Sequence, residues 1–150
     1  MSRRFQPAQF GDLSLRHEVH VFPYRFRSGG PEYLLLQAAP VQEKVWRPVV
    51  GPVDWDEDLR HAALRQVQVE TGITQAFDLV SPAAGLVQEV GDLKLVQWPV
   101  GYQVPHPAIE PQLRDQLAAW HWCPFQQALQ ILDASLFRQN LLQLHLQLAA

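Results

Sequence analysis

The chain predicts an α+β fold in which a mixed β-sheet is held between α-helices, an α/β/α sandwich. Three observations carry that expectation. Short runs rich in β-branched and aromatic residues recur, bounded by Gly, Pro or Asp. A capped helical segment interrupts them after residue 57, with Leu59, Ala62, Ala63 and Val67 at helical spacing. A last helical pattern closes the chain, where Phe137, Leu141, Leu144 and Leu148 repeat on one face.

The elements follow in order. Residues 17 to 27, HEVHVFPYRFR, mix β-branched and aromatic side chains as a strand does, and Ser28-Gly29-Gly30-Pro31 turns the chain. Tyr33 to Gln37 is a short apolar run that fits a buried strand. Val45 to Val50 is a further strand candidate, and Pro48 places a bulge or an edge in it, because proline cannot donate to a ladder. Residues 57 to 71 form a helix. Asp54 and Glu57 have capping-box spacing, Asp54, Asp56, Glu57 and Asp58 put negative charge at the positive end of the dipole, and Gly72 stops the run. Residues 77 to 80 and 86 to 90 are brief strands, and Gly91-Asp92 turns into a longer one over 93 to 104. The proline-rich stretch 105 to 112 is a loop, Pro124 starts a helix over 125 to 132, and a last helix spans 135 to 148. No repeat, low-complexity tract or long linker divides the chain, so 1–150 is expected to be one domain with 1–16 as an N-terminal extension.

Residues 51 to 73, GPVDWDEDLRHAALRQVQVETGI, carry the most chemistry. Gly51 is followed by five residues and Glu57, then by seven residues and Arg65, and then come Val67, Glu70, Gly72 and Ile73. This spacing resembles the Nudix box. The resemblance covers roughly residues 17 to 148 and implies the Nudix fold. It also implies hydrolysis of a nucleoside diphosphate linked to another group, with magnesium or manganese as cofactor. Carried over residue by residue, Gly51, Glu57 and Glu70 become the metal ligands, and Glu70, Glu57 and Arg65 the catalytic set, in which Arg65 pairs with a carboxylate and holds the loop–helix–loop in shape. Trp46, five residues before Gly51, and the stretch from Trp122 through Ala128 and Leu129 look most like the small nucleoside and pterin triphosphate pyrophosphatases.

The chain departs from the pattern where the metal would sit. In the family, three glutamates at i, i+3 and i+4 share one helix face. Here those positions hold Gln66, Val69 and Glu70. Hard divalent cations take oxygen ligands, chiefly carboxylates; Gln offers only a neutral carbonyl oxygen, a poor magnesium ligand and no base, and Val offers nothing. A later family element matches Gln116 to Trp122 with Gln116 in place of its Glu, and Asp115 next door is a candidate replacement. A general base is worth roughly 10²- to 10⁴-fold in rate, so these exchanges bear on activity directly. Drift is the plainer account of the glutamines, since the chain holds 18 Gln against 7 Glu.

Composition excludes several classes. Hydrophobic content of 47% and charged content of 18% are globular values. A net charge of −3 with no Lys/Arg run gives no field for a nucleic-acid polymer. No apolar run is long enough to span a membrane, and no apolar stretch follows Ser2-Arg3-Arg4 as a twin-arginine signal requires. One cysteine, Cys123, permits no internal disulfide, so a reducing cytoplasm is the expected setting. Trp55 on the loop before the helix suits packing or a dimer surface better than base stacking, His61 is a weak ligand candidate, and His17 and His20 have opposite parity on their strand. Arg25, Arg27, Lys44 and Arg47 lie near the right strands to meet phosphates, but solvated surface charge is the commoner explanation.

Three functions follow. The first is a metal-dependent Nudix hydrolase. The second is a non-catalytic protein that binds a small nucleotide-like molecule. The third is a homodimeric interaction protein with a vestigial cleft.

Overall fold

A computed structural model describes residues 15–38, 45–81, 85–112, 114 and 117–149. Among these residues eight strands form one mixed sheet. The strands are β1 (Leu15–Arg27), β2 (Gly30–Ala38), β3 (Trp46–Arg47), β4 (Val49–Pro52), β5 (Asp78–Val80), β6 (Leu86–Val90), β7 (Leu93–Gln103) and β8 (Leu117–Pro124). The helices are α1 (Leu59–Thr71), α2 (Phe125–Ile131) and α3 (Ser135–Ala149).

β1 and β7 run parallel side by side, from Leu15 opposite Lys94 to Tyr24 opposite Gln103. The other edge of β1 is shared. Its C-terminal half pairs antiparallel with β2, and its N-terminal half pairs antiparallel with β4. Pro48 explains how the chain reaches both places. Trp46 and Arg47 pair with β2, and Val49 to Pro52 pair with β1, so the residue without an N–H stands where the chain changes partner. The expected break at Pro48 is therefore a crossing from one strand to another.

Strand alternation divides the core into two layers. Val19, Val21, Leu34, Leu36, Val49, Val100, Tyr102 and Trp122 are buried on one face with Ala62, Ala63 and Val67 of α1. Phe22, Tyr24, Tyr33, Leu35 and Cys123 are buried on the other with Ala128 and Leu132 near α2 and with Leu141 and Leu144 of α3. The sheet is thus held between helices, as the sequence predicts, and Leu141 and Leu144 lead the α3 stripe. Gly101 lets α3 come close, since a Cβ there would stand 2.8 Å from Leu144 Cδ1.

Two features differ from expectation. α1 starts at Leu59, with Asp58 as its cap: the Asp58 side chain accepts from the His61 amide at 2.9 Å. Asp54 and Glu57 close a separate turn just before it, in which the Asp54 amide donates to Glu57 Oε1 at 3.1 Å. β8 is a strand that the turn signals do not announce. It pairs antiparallel with β2 from Pro124 opposite Glu32 to Leu117 opposite Ala38, with a register shift near Gln37. Among the described residues no helix is long and apolar enough to cross a membrane.

Candidate active site

α1 presents its site residues beside β4 and β3. Gly51 on β4 is paired with Val19 and lies against the side chain of Gln66. A Cβ on Gly51 would fall 2.2 Å from Gln66 Cδ, so only glycine lets the Gln66 side chain lie this close to the strand. Gly72 ends the helix in the left-handed region at φ 77°, and its amide donates to the Gln68 carbonyl at 2.9 Å.

The box residues form one hydrogen-bonded chain. Arg65 donates from Nε to Glu57 Oε2 at 2.8 Å and from Nη2 to Glu57 Oε1 at 2.9 Å. It also donates from Nη2 to the Pro52 carbonyl at 2.7 Å and from Nη1 to Gln66 Oε1 at 3.0 Å. Gln66 passes the chain on, donating from Nε2 to Glu70 Oε2 at 3.0 Å. Arg47 closes it, donating from Nη1 to Glu70 Oε1 at 2.8 Å. Glu57, Arg65, Gln66, Glu70 and Arg47 are therefore brought together. Of the two carboxylates that the sequence offers as partners for Arg65, it is Glu57 that pairs with it directly.

The electrostatics follow from the geometry. The hydrogen bond from Arg65 holds the Glu57 carboxyl below its ordinary value, against a partly opposing effect of burial. The same bond raises the Arg65 guanidinium. Arg65 is a staple between the 52–57 turn and α1, a bidentate arrangement that is among the stronger charge-assisted geometries. Arg47 is the residue that sequence reasoning misplaced. It is not merely solvated charge but the ion-pair partner of Glu70, 23 residues further along the chain. The sequence signals were its closeness to the box and its place near strands that could meet phosphates.

Of the three helix-borne carboxylates that the box implies for magnesium or manganese, only Glu70 is present. Position 66 offers an amide already engaged at both ends, position 69 is a valine 55% exposed, and each oxygen of Glu70 and of Glu57 accepts a hydrogen bond. Among the described residues no three His, Cys, Asp or Glu side chains come together as a metal site.

The remaining candidates are placed as follows. Asp115 and Gln116 lie outside the described residues, as does Lys44. Trp55 is 72% exposed at the turn before α1. His61 is exposed beside Asp58. His17 and His20 do point to opposite faces: His17 stacks on Trp98, while His20 is buried between Glu18 and Asn140 on the α3 side. Arg25 bonds Glu32 at 2.9 Å and lies over the Trp122 ring, 4.4 Å from its centroid, and Arg27 approaches the same Glu32 at 3.7 Å. Cys123 is buried, and burial pushes its thiol up to about 12, which leaves no thiolate for nucleophilic work near neutrality.

The comparison with known families settles the ancestry of this arrangement. The NUDIX domain model matches residues 15–144. The chain belongs to the NUDIX family. No curated protein matches the sequence. Among solved structures, a C. elegans Ap4A hydrolase is 28% identical with a TM-score of 0.68, over 89% of this chain and 98% of that one. The E. coli dihydroneopterin triphosphate pyrophosphohydrolase is 19% identical with a TM-score of 0.73, over 87% of this chain and 95% of that one. The NUDIX domain of Shewanella oneidensis NrtR, solved with ADP ribose, is 19% identical with a TM-score of 0.70, over 96% of this chain and 94% of that one. The last two likenesses are of fold alone. The NUDIX fold expected from the box is thus the fold of this chain.

Proposed function

We propose that this NUDIX chain binds a small molecule linked to a nucleoside diphosphate and has lost efficient pyrophosphate hydrolysis. One observation carries the reading: Glu70, the only acid left of the helix-borne triad, has both carboxylate oxygens hydrogen-bonded, one to Arg47 and one to Gln66. Hydrolysis needs a base to take a proton from water and positive charge to meet the charge developing on phosphorus. A metal supplies the second when bound. Position 66 holds an amide that cannot accept a proton at neutral pH, and position 69 holds no oxygen. What remains to this chain is binding and orientation. The ADP ribose bound to the NrtR NUDIX domain supports a ligand of this class on this fold.

A second reading is a weak metal-dependent hydrolase, with Gly51, Glu57 and Glu70 as metal ligands and Arg65 positioning Glu57. It is favoured by the survival of all four residues and by the 28% identity to an Ap4A hydrolase.

Calorimetric titration separates the two. The chain is titrated with magnesium and manganese alone, and then with ADP-ribose in the presence of a chelator. The binding reading expects ADP-ribose affinity to survive chelation. It also expects Gln66→Glu, Val69→Glu and Gln116→Glu together to create metal binding that the native chain lacks. Turnover of the native chain is expected to be at least about 10²-fold below that of the restored variant. Rapid magnesium-dependent release of a phosphorylated product by the native chain would overturn the proposal in favour of the hydrolase.

A further inference from the structure

The site balances its own charge. Glu57 and Glu70 face Arg65 and Arg47, two carboxylates against two guanidiniums. With acids at 66 and 69 the same site would carry two further negative charges and would need a cation to hold it together. Arg65 has one N–H to spare, on Nη1, since four of its five donors are engaged with Glu57, Gln66 and Pro52. Arg47 has more. Its Nη1 serves Glu70 and the Pro48 carbonyl, both at 2.8 Å, while Nε and Nη2 make no hydrogen bond among the described residues.

The pairing also has a direction. The Arg47 side chain is 23% exposed and that of Glu70 is 11%. The carboxylate is the more buried partner, and the guanidinium keeps Nε and Nη2 without a hydrogen bond among the described residues. Arg47 is held from behind by the pairing of β3 with β2, where it stands opposite Leu36, and Pro48 fixes the backbone just after it. A planar, weakly hydrated guanidinium with a free edge matches the oxygens of a phosphate group.

We propose that Arg47 is the resident cation of this site: it neutralises Glu70 and presents its outer edge to a phosphate of the ligand, so that phosphate recognition needs no divalent metal. The inference rests on the binding reading above and names the group that does the binding.

The test uses inorganic pyrophosphate and ADP-ribose as separate probes, each titrated with chelator present into the native chain, Arg47→Gln and Arg60→Gln. Arg60 is an exposed residue of α1 and controls for general surface charge. Loss of charge-assisted hydrogen bonds is expected to weaken pyrophosphate binding about 10- to 100-fold in Arg47→Gln. Arg60→Gln is expected to stay within about twofold, as for a screened surface charge. Unfolding midpoints verify that each variant folds. Should Arg47→Gln not fold, Arg47→Lys decides, because it keeps the charge and loses the fork: weaker pyrophosphate binding supports the role and unchanged binding overturns it. Pyrophosphate binding that is equal in Arg47→Gln, or that requires magnesium, overturns the inference. ADP-ribose binding that is equal in both chains leaves the binding reading standing without Arg47, and binding of neither probe by the native chain removes both.

Discussion

Gly51→Ala adds one methyl group at the tightest point of the site. The new Cβ would lie 2.2 Å from Gln66 Cδ, 2.3 Å from its Oε1 and 2.5 Å from its Cγ. Carbon atoms in contact sit about 3.5–4.0 Å apart, so the side chain must move by more than about 1 Å. It cannot do so freely. Cγ is among the clashing atoms, so the shift starts near the helix backbone, and both polar ends of the amide are tied, to Arg65 Nη1 and to Glu70 Oε2 at 3.0 Å each. Breaking those bonds or pushing β4 away from α1 is expected to cost about 1–3 kcal/mol, the usual range for overpacking. For a chain of this length that is roughly 2–4 °C in Tm per kcal/mol. Urea unfolding of the native chain, Gly51→Ala, Gln66→Ala and the double variant measures it as a cycle. In the Gln66→Ala background the clash is gone and Gly51→Ala is expected to cost under about 0.5 kcal/mol, or to stabilise slightly, because alanine loses less chain entropy than glycine. An equal cost in both backgrounds would refute the reasoning, since the penalty would then arise somewhere other than Gln66.

Two further perturbations probe the surrounding structure. Glu57 has a folded-state value below the ordinary 4.5, so its contribution is fully present above the unfolded value and is lost as pH falls through the lower folded one. Urea midpoints at neutral pH and at increasingly acid pH are therefore expected to drop less in Glu57→Gln than in the native chain, and an identical drop would count against the Arg65 pairing. Leu144→Ala removes a fully buried side chain that packs on Gly101, with an expected loss of about 2–5 kcal/mol by calorimetric or urea unfolding; a loss under about 1 kcal/mol would mean that α3 does not anchor this face as its burial implies.

The comparison between sequence and structure turns on distance along the chain. α1 was legible because its signals are local: Ala62, Ala63 and Val67 follow the helical period, and Gly72 stops the helix at φ 77°. Its first turn lies two residues later than the capping-box spacing predicts, because Asp54 and Asp58 both have the chemistry of a cap. Only the closed Asp54–Glu57 turn decides between them. The turn signals do not announce β8 because AAWHWC lacks strict alternation, and because its role depends on β2, far earlier in the chain. The opposite facing of His17 and His20 was legible because side-chain parity is a property of any strand.

By itself the sequence determined the layered α+β fold, the loop–helix–loop of the NUDIX box and the loss of acids at 66 and 69. Each of these is written in residue type and short-range spacing. Tertiary structure alone decided what the surviving charges do. Arg65 could have paired with Glu57 or Glu70, and the pairing of the 52–57 turn with α1 selects Glu57. Arg47 becomes the partner of Glu70 only because β3 pairs with β2 and Pro48 turns the chain toward β1, which sets a strand residue beside the end of a helix formed from later sequence. An ion pair needs two side chains within a few ångströms, and that proximity is made by the sheet.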